Sequence, residues 1–306
     1  MLCFKVVIAI AISLTFCLAV DLNDKCSRTG KLVKCSKITP NDYGLIEDEN
    51  ILIENSVVLM DNKFLQKFPK AIQMQFYRVK LTFDLSSDDE SSLRKLSIDN
   101  CELSTGISDG LRELEAFTLK NTRNGVEILE SLWNLNKLTV FNTSISKISL
   151  KNKEHLNWLD LSYNNLKTIP DDIPAGITYL DLSGNSIEKV KKEDFADLSN
   201  LEILLLESNK IKNLSSTVFA ELQSLRMLFL GNNSLESADF EKPLKLTFLD
   251  LSFNKISRVE NLSNSTRLIL EETIIYKEPK TASHVSLALV IVFCGLVLIF
   301  IFYCGK

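Results

Sequence analysis

The residues best able to do chemistry in this chain are few and poorly placed for it. Histidine is the commonest proton shuttle and metal ligand, yet only His155 and His284 occur, far apart in the sequence. No Gly-x-Ser-x-Gly elbow, His-Glu-x-x-His helix, phosphate loop or Cys-x-x-Cys pair occurs among the 306 residues. His155 directly precedes a core leucine and is expected as a surface ring. Asp160, Asp181 and Asp250 recur at one place in three of the repeats, an arrangement that could suggest a bound cation. Each sits in the run Leu-Asp-Leu-Ser, however, where aspartate is the ordinary outward residue of a strand. The expectation is a protein without enzymatic activity, cofactor or metal.

Cysteine chemistry points to structure. Of seven cysteines, Cys3, Cys17, Cys294 and Cys304 lie in the apolar ends. Cys26 and Cys35 flank a short polar loop just before the repeats begin, and these two are expected to pair in an oxidising compartment. Cys101 is explained by its place in the repeat. Lys plus Arg is 35 against 39 Asp plus Glu, a net charge of -4, which leaves no basic footprint for nucleic acid. Mild acidity also disfavours anionic lipid and heparin-like polymers.

Both ends of the chain are hydrophobic. Residues 1–19 have one cation, Lys5, then an apolar run with small residues at Cys17 and Ala19, the pattern of a cleaved secretory signal. Val285–Tyr303 is 19 uncharged residues. As a helix it would reach about 28 Å, enough to cross a bilayer. The expectation is a signal at 1–19, a cap at 20–53, repeats over 54–276, a stalk at 277–284, a transmembrane helix at 285–303 and a cytoplasmic tail at 304–306. A tail replaced by a glycolipid anchor is the alternative, with Thr281, Ala282 and Ser283 as its small residues. Either arrangement puts the repeats outside the plasma membrane. Five Asn-x-Ser/Thr sequons, at Asn142, Asn213, Asn232, Asn261 and Asn264, are then candidates for N-glycosylation.

What must position any site is a repeat. The segment from Leu156 fits L-x-x-L-x-L-x-x-N-x-L at every fixed place, as do those from Ile177, Leu201, Leu225 and Leu246. Looser copies start at Leu93, Leu114 and Leu135, in frame at 21-residue intervals. This is a leucine-rich repeat array of about 8–10 repeats: an α/β solenoid, a horseshoe with a parallel concave sheet and a mostly irregular convex side. The alternate leucines of each strand point inward. The ninth-place asparagines Asn164, Asn185, Asn209, Asn233 and Asn254 are expected to form a ladder that satisfies loop backbone groups. Cys101 fills that slot in the repeat from Leu93. Phe195 and Phe219 fill the wider convex side of the two longer repeats. Weaker repeats are expected around Val57–Leu65 and Phe76–Leu85, and Leu268–Tyr276 ends the array.

Outward strand positions are the third, fifth and seventh. The third-place column contains Trp158, Tyr179, Ile203, Met227 and Phe248, and the fifth adds Leu205 and Phe229. At about 4.8 Å per strand, Trp158 and Phe248 are roughly 20 Å apart. Such a strip of aromatic and apolar side chains is expected to bind a partner.

With these places laid out, the sequence resembles extracellular leucine-rich repeat proteins, most nearly the membrane-anchored insect leucine-rich immune proteins. The resemblance covers residues 54–276. It implies recognition of a protein or microbial-surface ligand by an innate-immune receptor or co-receptor. The chain lacks the coiled coil and the downstream cysteine cluster of the secreted members. It also lacks the cytoplasmic signalling domain of Toll-like receptors, so a signalling partner is expected. Cell adhesion or guidance in development is the alternative role for the same plan.

Overall fold

The computed structural model describes residues 25–39, 45–86, 91–104, 109–263, 265–271, 288–293 and 296–301. They fall into two units, residues 1–135 and 136–306, each a parallel-strand solenoid. The first unit opens with an antiparallel hairpin of β1 (Cys26–Thr29) and β2 (Leu32–Ser36). Cys26 stands directly opposite Cys35 in its ladder, and the two form a disulfide. Parallel strands follow: β3 (Asn50–Glu54), β5 (Gln73–Tyr77), β7 (Lys95–Asp99) and β9 (Ala116–Lys120). Their inward residues Ile51, Met74, Leu96 and Phe117 are in register and at most 2% exposed.

This register supplies the frame before Leu93. Ile51 and Ile53 already occupy the two inward places of a coil, as do Met74 and Phe76. The segment from Val57 belongs to a second small sheet, of β4 (Val57–Asp61), β6 (Lys80–Asp84) and β8 (Glu102–Ser104). After β4 a single helical turn, α1 (Asn62–Leu65), is capped by Asp61, whose carboxylate accepts the Phe64 N–H at 2.7 Å. The early coils thus turn a corner from one strand into another. Their back sides are β-branched and aromatic enough to pair as strands.

In the second unit the strand row is β10 (Lys137–Phe141), β11 (Trp158–Asp160), β12 (Tyr179–Asp181), β13 (Ile203–Leu205), β14 (Met227–Phe229), β16 (Phe248–Asp250) and β18 (Arg267–Ile269). All neighbours are parallel. β15 (Ser237–Leu244) pairs with β17 (Arg258–Leu262) in a separate two-stranded sheet. The fourth- and sixth-place leucines, such as Leu159, Leu161, Leu204 and Leu206, are fully buried. Each removes roughly 2 kcal/mol worth of apolar surface from water. Away from the strand row, short turns such as the 3-10 segment Lys192–Phe195 bury Phe195 against Phe219, ring centroids 5.7 Å apart.

One residue before each ladder place the backbone is left-handed, turning the chain out of the strand. Asn142, Tyr163, Gly184, Ser208, Asn232 and Phe253 form this column in the second unit. Asparagine tolerates the conformation, whereas for Tyr163 and Phe253 it costs roughly 1 kcal/mol or more. Glycine at 184 is required twice over, by φ +66 and by the Tyr163 ring lying 3.0 Å from where a Cβ would stand.

The C-terminal apolar stretch corrects an expectation. Where described, it is not a transmembrane helix. β19 (Ala288–Phe293) and β20 (Leu296–Ile301) form an antiparallel pair, with Ala288 opposite Ile301. No helix among the described residues is long and apolar enough to cross a membrane. An unbroken apolar run has no periodicity to separate strand from helix, and Val, Ile and Phe favour the strand. The segments 1–19, 277–284 and 304–306, with His284 and Asn264, lie outside the described residues.

Candidate functional site

The ladder comes first, because it holds the strand ends that present the outward face. Asn164, Asn185, Asn209 and Asn254 are buried, and Asn233 is partly so. Each uses its amide in the same way. At Asn209 the oxygen accepts the Ile187 N–H at 3.0 Å, and the nitrogen donates to Leu182 O at 2.9 Å in the preceding coil and to Leu206 O at 3.1 Å in its own. Thr143 takes the slot before Asn164, its hydroxyl and N–H both bonded to Asn164 Oδ1. In the first unit Ser56, Cys101 and Thr122 hold the equivalent corner. Ser56 accepts the Ile38 N–H, and Cys101 Sγ accepts the Val79 N–H at 3.4 Å. Burial pushes the Cys101 thiol up, as befits a structural residue. A pattern written for Asn or Cys misses Ser and Thr in these slots, although a short side chain with an oxygen does the same work.

On the outer face the sequence-derived strip is brought together. The third-place residues Trp158, Tyr179, Ile203, Met227 and Phe248 are consecutive partners in one row, continued by Lys137 and Arg267 at its ends. Leu205 and Phe229 are likewise paired in the fifth-place row. All seven are half-buried, because they cover one another. Trp158 and Tyr179 stack with ring centroids 3.6 Å apart and planes 7° from parallel. Phe229 and Phe248 pack at 4.9 Å. Lys137 Nζ lies 4.2 Å above the Trp158 ring, a cation–π contact.

The fifth-place row also contains Asp160, Asp181 and Asp250, and Glu207 stands in the seventh place of the repeat from Leu201, just past the end of β13. Asp160 Oδ1 accepts the Ser162 hydroxyl at 2.6 Å and its N–H at 3.0 Å. Asp181 Oδ1 accepts the same pair from Ser183, at 2.5 and 2.9 Å, and Asp250 Oδ1 accepts the Ser252 N–H at 2.8 Å. The carboxylates are therefore fixed to their own loops by one oxygen each. Gly231 packs closely beside Asp250: a Cβ there would lie 3.1 Å from Ser252 Oγ and 3.5 Å from Asp250 Oδ2. Among the described residues no group of three converges as metal ligands. His155 is exposed, away from these rows.

Burial pushes the Asp181 carboxyl up, with Asp160 adding to the rise and the Ser183 bonds opposing it. Burial also raises Glu207, helped by the charges of Asp250 and Asp181. Tyr179 is pushed up to about 12, by burial first and then by Asp181 and Asp160. A carboxyl whose folded pKa is raised binds its proton more readily folded than unfolded. Its charge therefore destabilises the fold above the folded pKa, and the penalty vanishes as pH falls below the ordinary carboxylate range. Asp181→Asn with Glu207→Gln is expected to raise the melting temperature at pH 7 and to match wild type at pH 3. Melting curves at the two pH values check this, and an equal gain at both would place its cause outside titration.

Glu207, Gly231 and the exposed corner aromatics Tyr163 and Phe253, at 57% and 49% exposure, are not singled out by the sequence. Extending the outward columns to the seventh place would have found the first two. The left-handed backbone of the other two carries no sequence signal.

Two leucine-rich repeat family profiles match the chain, one over residues 175–235 and 200–256, the other over 92–114 and 155–175. No curated protein sequence matches it. Among solved structures, the crystal structure of an internalin (inlF) from Listeria monocytogenes is similar, at 16% identity and a TM-score of 0.50. That match covers 78% of this chain and 82% of the internalin. At that identity the likeness speaks for the fold alone. With the strand rows, the asparagine ladder and these matches together, the chain carries a leucine-rich repeat array.

Proposed function

We propose that this protein acts at the cell surface, facing outward, as an innate-immune recognition receptor or co-receptor that binds a protein or microbial-surface ligand on the sheet face of its second unit. The observation that carries the reading is the paired apolar strip, with Met227 and Phe229 between Ile203, Leu205 and Phe248 in two in-register rows. Aromatic and methionine side chains on an open sheet face are the residue types favoured at binding hot spots. The disulfide between Cys26 and Cys35 fits an oxidising compartment. The sequon residues Asn142, Asn213, Asn232 and Asn261 are exposed, as glycan acceptors must be. Signalling then passes through a partner protein.

The test displays the full chain on cultured cells and scores surface staining, capture of fluorescent microbial particles and clustering with neighbouring cells. Expected are staining without permeabilisation and microbial capture that Met227→Asp/Phe229→Asp reduces at least ~10-fold, the scale of losing a central apolar contact. Clustering of cells with no microbial capture would replace immune recognition by adhesion. Capture undiminished in the double variant would remove the site from this face.

A further inference from the structure

The face proposed above as the binding surface also carries information about its partner's chemistry. Asp160, Asp181, Glu207 and Asp250 border the apolar strip, and none of the four makes an ion pair among the described residues. Asp160 is the direct cross-strand partner of Asp181, so their backbones are about 4.8 Å apart, and Asp250 lies three strands further on. Like charges set opposite one another repel. Their Oδ1 atoms are held by serines of their own loops, as described. Asp160 Oδ2 and Asp250 Oδ2 accept no bond from within the described residues, and Asp181 Oδ2 meets only the Tyr179 hydroxyl, at 3.4 Å. These are acceptors oriented by the fold and left for an outside donor.

The flanking rows state what kind of donor. The third- and fifth-place rows are two residues apart along each strand, about 7 Å. That is close to the length of a lysine or arginine stem, which packs its methylenes on apolar surface while its charged head reaches a polar group. The row itself ends in such a contact: Lys137 Nζ sits 4.2 Å over the Trp158 ring. Beyond it, from Tyr179 to Phe248, the row has rings and aliphatic side chains but no cation. Holding these carboxylates here is costly: burial first, and neighbouring like charges after it, raise the Asp181 and Glu207 carboxyls. A row of carboxylates that weakens the fold is what a binding surface tolerates and a purely structural one loses.

The geometry points to a partner protein segment bearing lysine or arginine side chains, whose stems lie on Tyr179, Ile203, Met227 and Phe248 and whose cationic heads meet Asp160, Asp181, Glu207 and Asp250. This rests on the reading that the second-unit sheet face is the binding surface. Attraction of this kind sets selectivity and association rate and is screened by salt.

The experiment selects a phage-displayed library of random linear peptides on the immobilised full chain at low salt. The winners are then measured on wild type, on Asp160→Asn/Asp181→Asn/Glu207→Gln/Asp250→Asn, and on Met227→Ser/Phe229→Ser, which removes the apolar surface without adding charge. Melting curves establish that both variants fold. Expected are peptides enriched in Lys and Arg, bound roughly 10-fold or more weakly by the carboxamide variant. Raising NaCl from about 0.05 M to about 0.5 M should weaken binding to wild type and hardly affect the carboxamide variant. Peptides without basic enrichment, or equal binding by the carboxamide variant, overturn the cationic partner while loss in Met227→Ser/Phe229→Ser keeps the face. Undiminished binding by that second variant removes the face itself, and the partner with it. Failure of any peptide to enrich at low salt also overturns the proposal.

Discussion

Asn209→Ala is expected to lower stability by about 2–4 kcal/mol, one of the larger effects of a single substitution in this chain. The side chain is 8% exposed and serves two successive coils at once. Its removal leaves the Ile187 N–H without an acceptor and takes one of two donors from each of the carbonyls of Leu182, Leu206 and Glu207, which keep Asn185, Asn233 and the Gly184 N–H. Buried backbone groups stripped of partners cost their full desolvation, which is more than the net worth of the bonds. No compact rearrangement restores them, because the neighbouring ladder residues are already engaged with their own coils. Asn165 is the control. It directly follows the ladder residue Asn164 but is exposed, and its amide makes one bond to Ser144 O at 3.2 Å. Asn165→Ala should stay within about 0.5 kcal/mol of wild type. Thermal unfolding compares them: a drop of about 10 °C is expected for Asn209→Ala. Equal melting of the two variants would show that the ladder does not carry the strand ends.

Phe219→Ala is expected to cost about 3–5 kcal/mol by a different route. The ring is 1% exposed and lies between Phe195 and Phe240, with centroids 5.7 and 6.4 Å away. These three rings come from consecutive coils, so a cavity at the middle one loosens two interfaces. Solenoid stability is carried by such nearest-neighbour interfaces. Phe219→Leu, which refills most of the volume, should recover more than half of the loss. Denaturant unfolding of both variants tests this. Similar losses for Leu and Ala would mean that the back of the coil collapses without a cavity.

The importance of both residues is legible in the sequence, and for one reason. Phe219 and Asn209 stand at fixed places of a repeat, and a coil stacked on near-copies of itself gives each place the same surroundings. The frame before Leu93 is harder to read, because Ile51, Ile53, Met74 and Phe76 satisfy only the two inward places and the ladder slots are held by Ser56 and Val79. The apolar run from Val285 misleads, since it has no period and length alone favours a helix.

By itself, then, the sequence determined the strand row, the inward leucines, the ladder and the outward columns, because each follows from periodicity. It also determined the pairing of Cys26 with Cys35, the two cysteines flanking one tight loop. Only the tertiary structure decided which outward residues act on one another. Parallel strands in register bring Trp158 onto Tyr179 and Asp160 beside Asp181 across 21 residues of sequence, and Lys137 over Trp158. Whether an outward column is a solvated surface, a self-covering stack or a row of fixed acceptors depends on these lateral contacts. They are set by register and side-chain geometry between coils, which no single repeat contains.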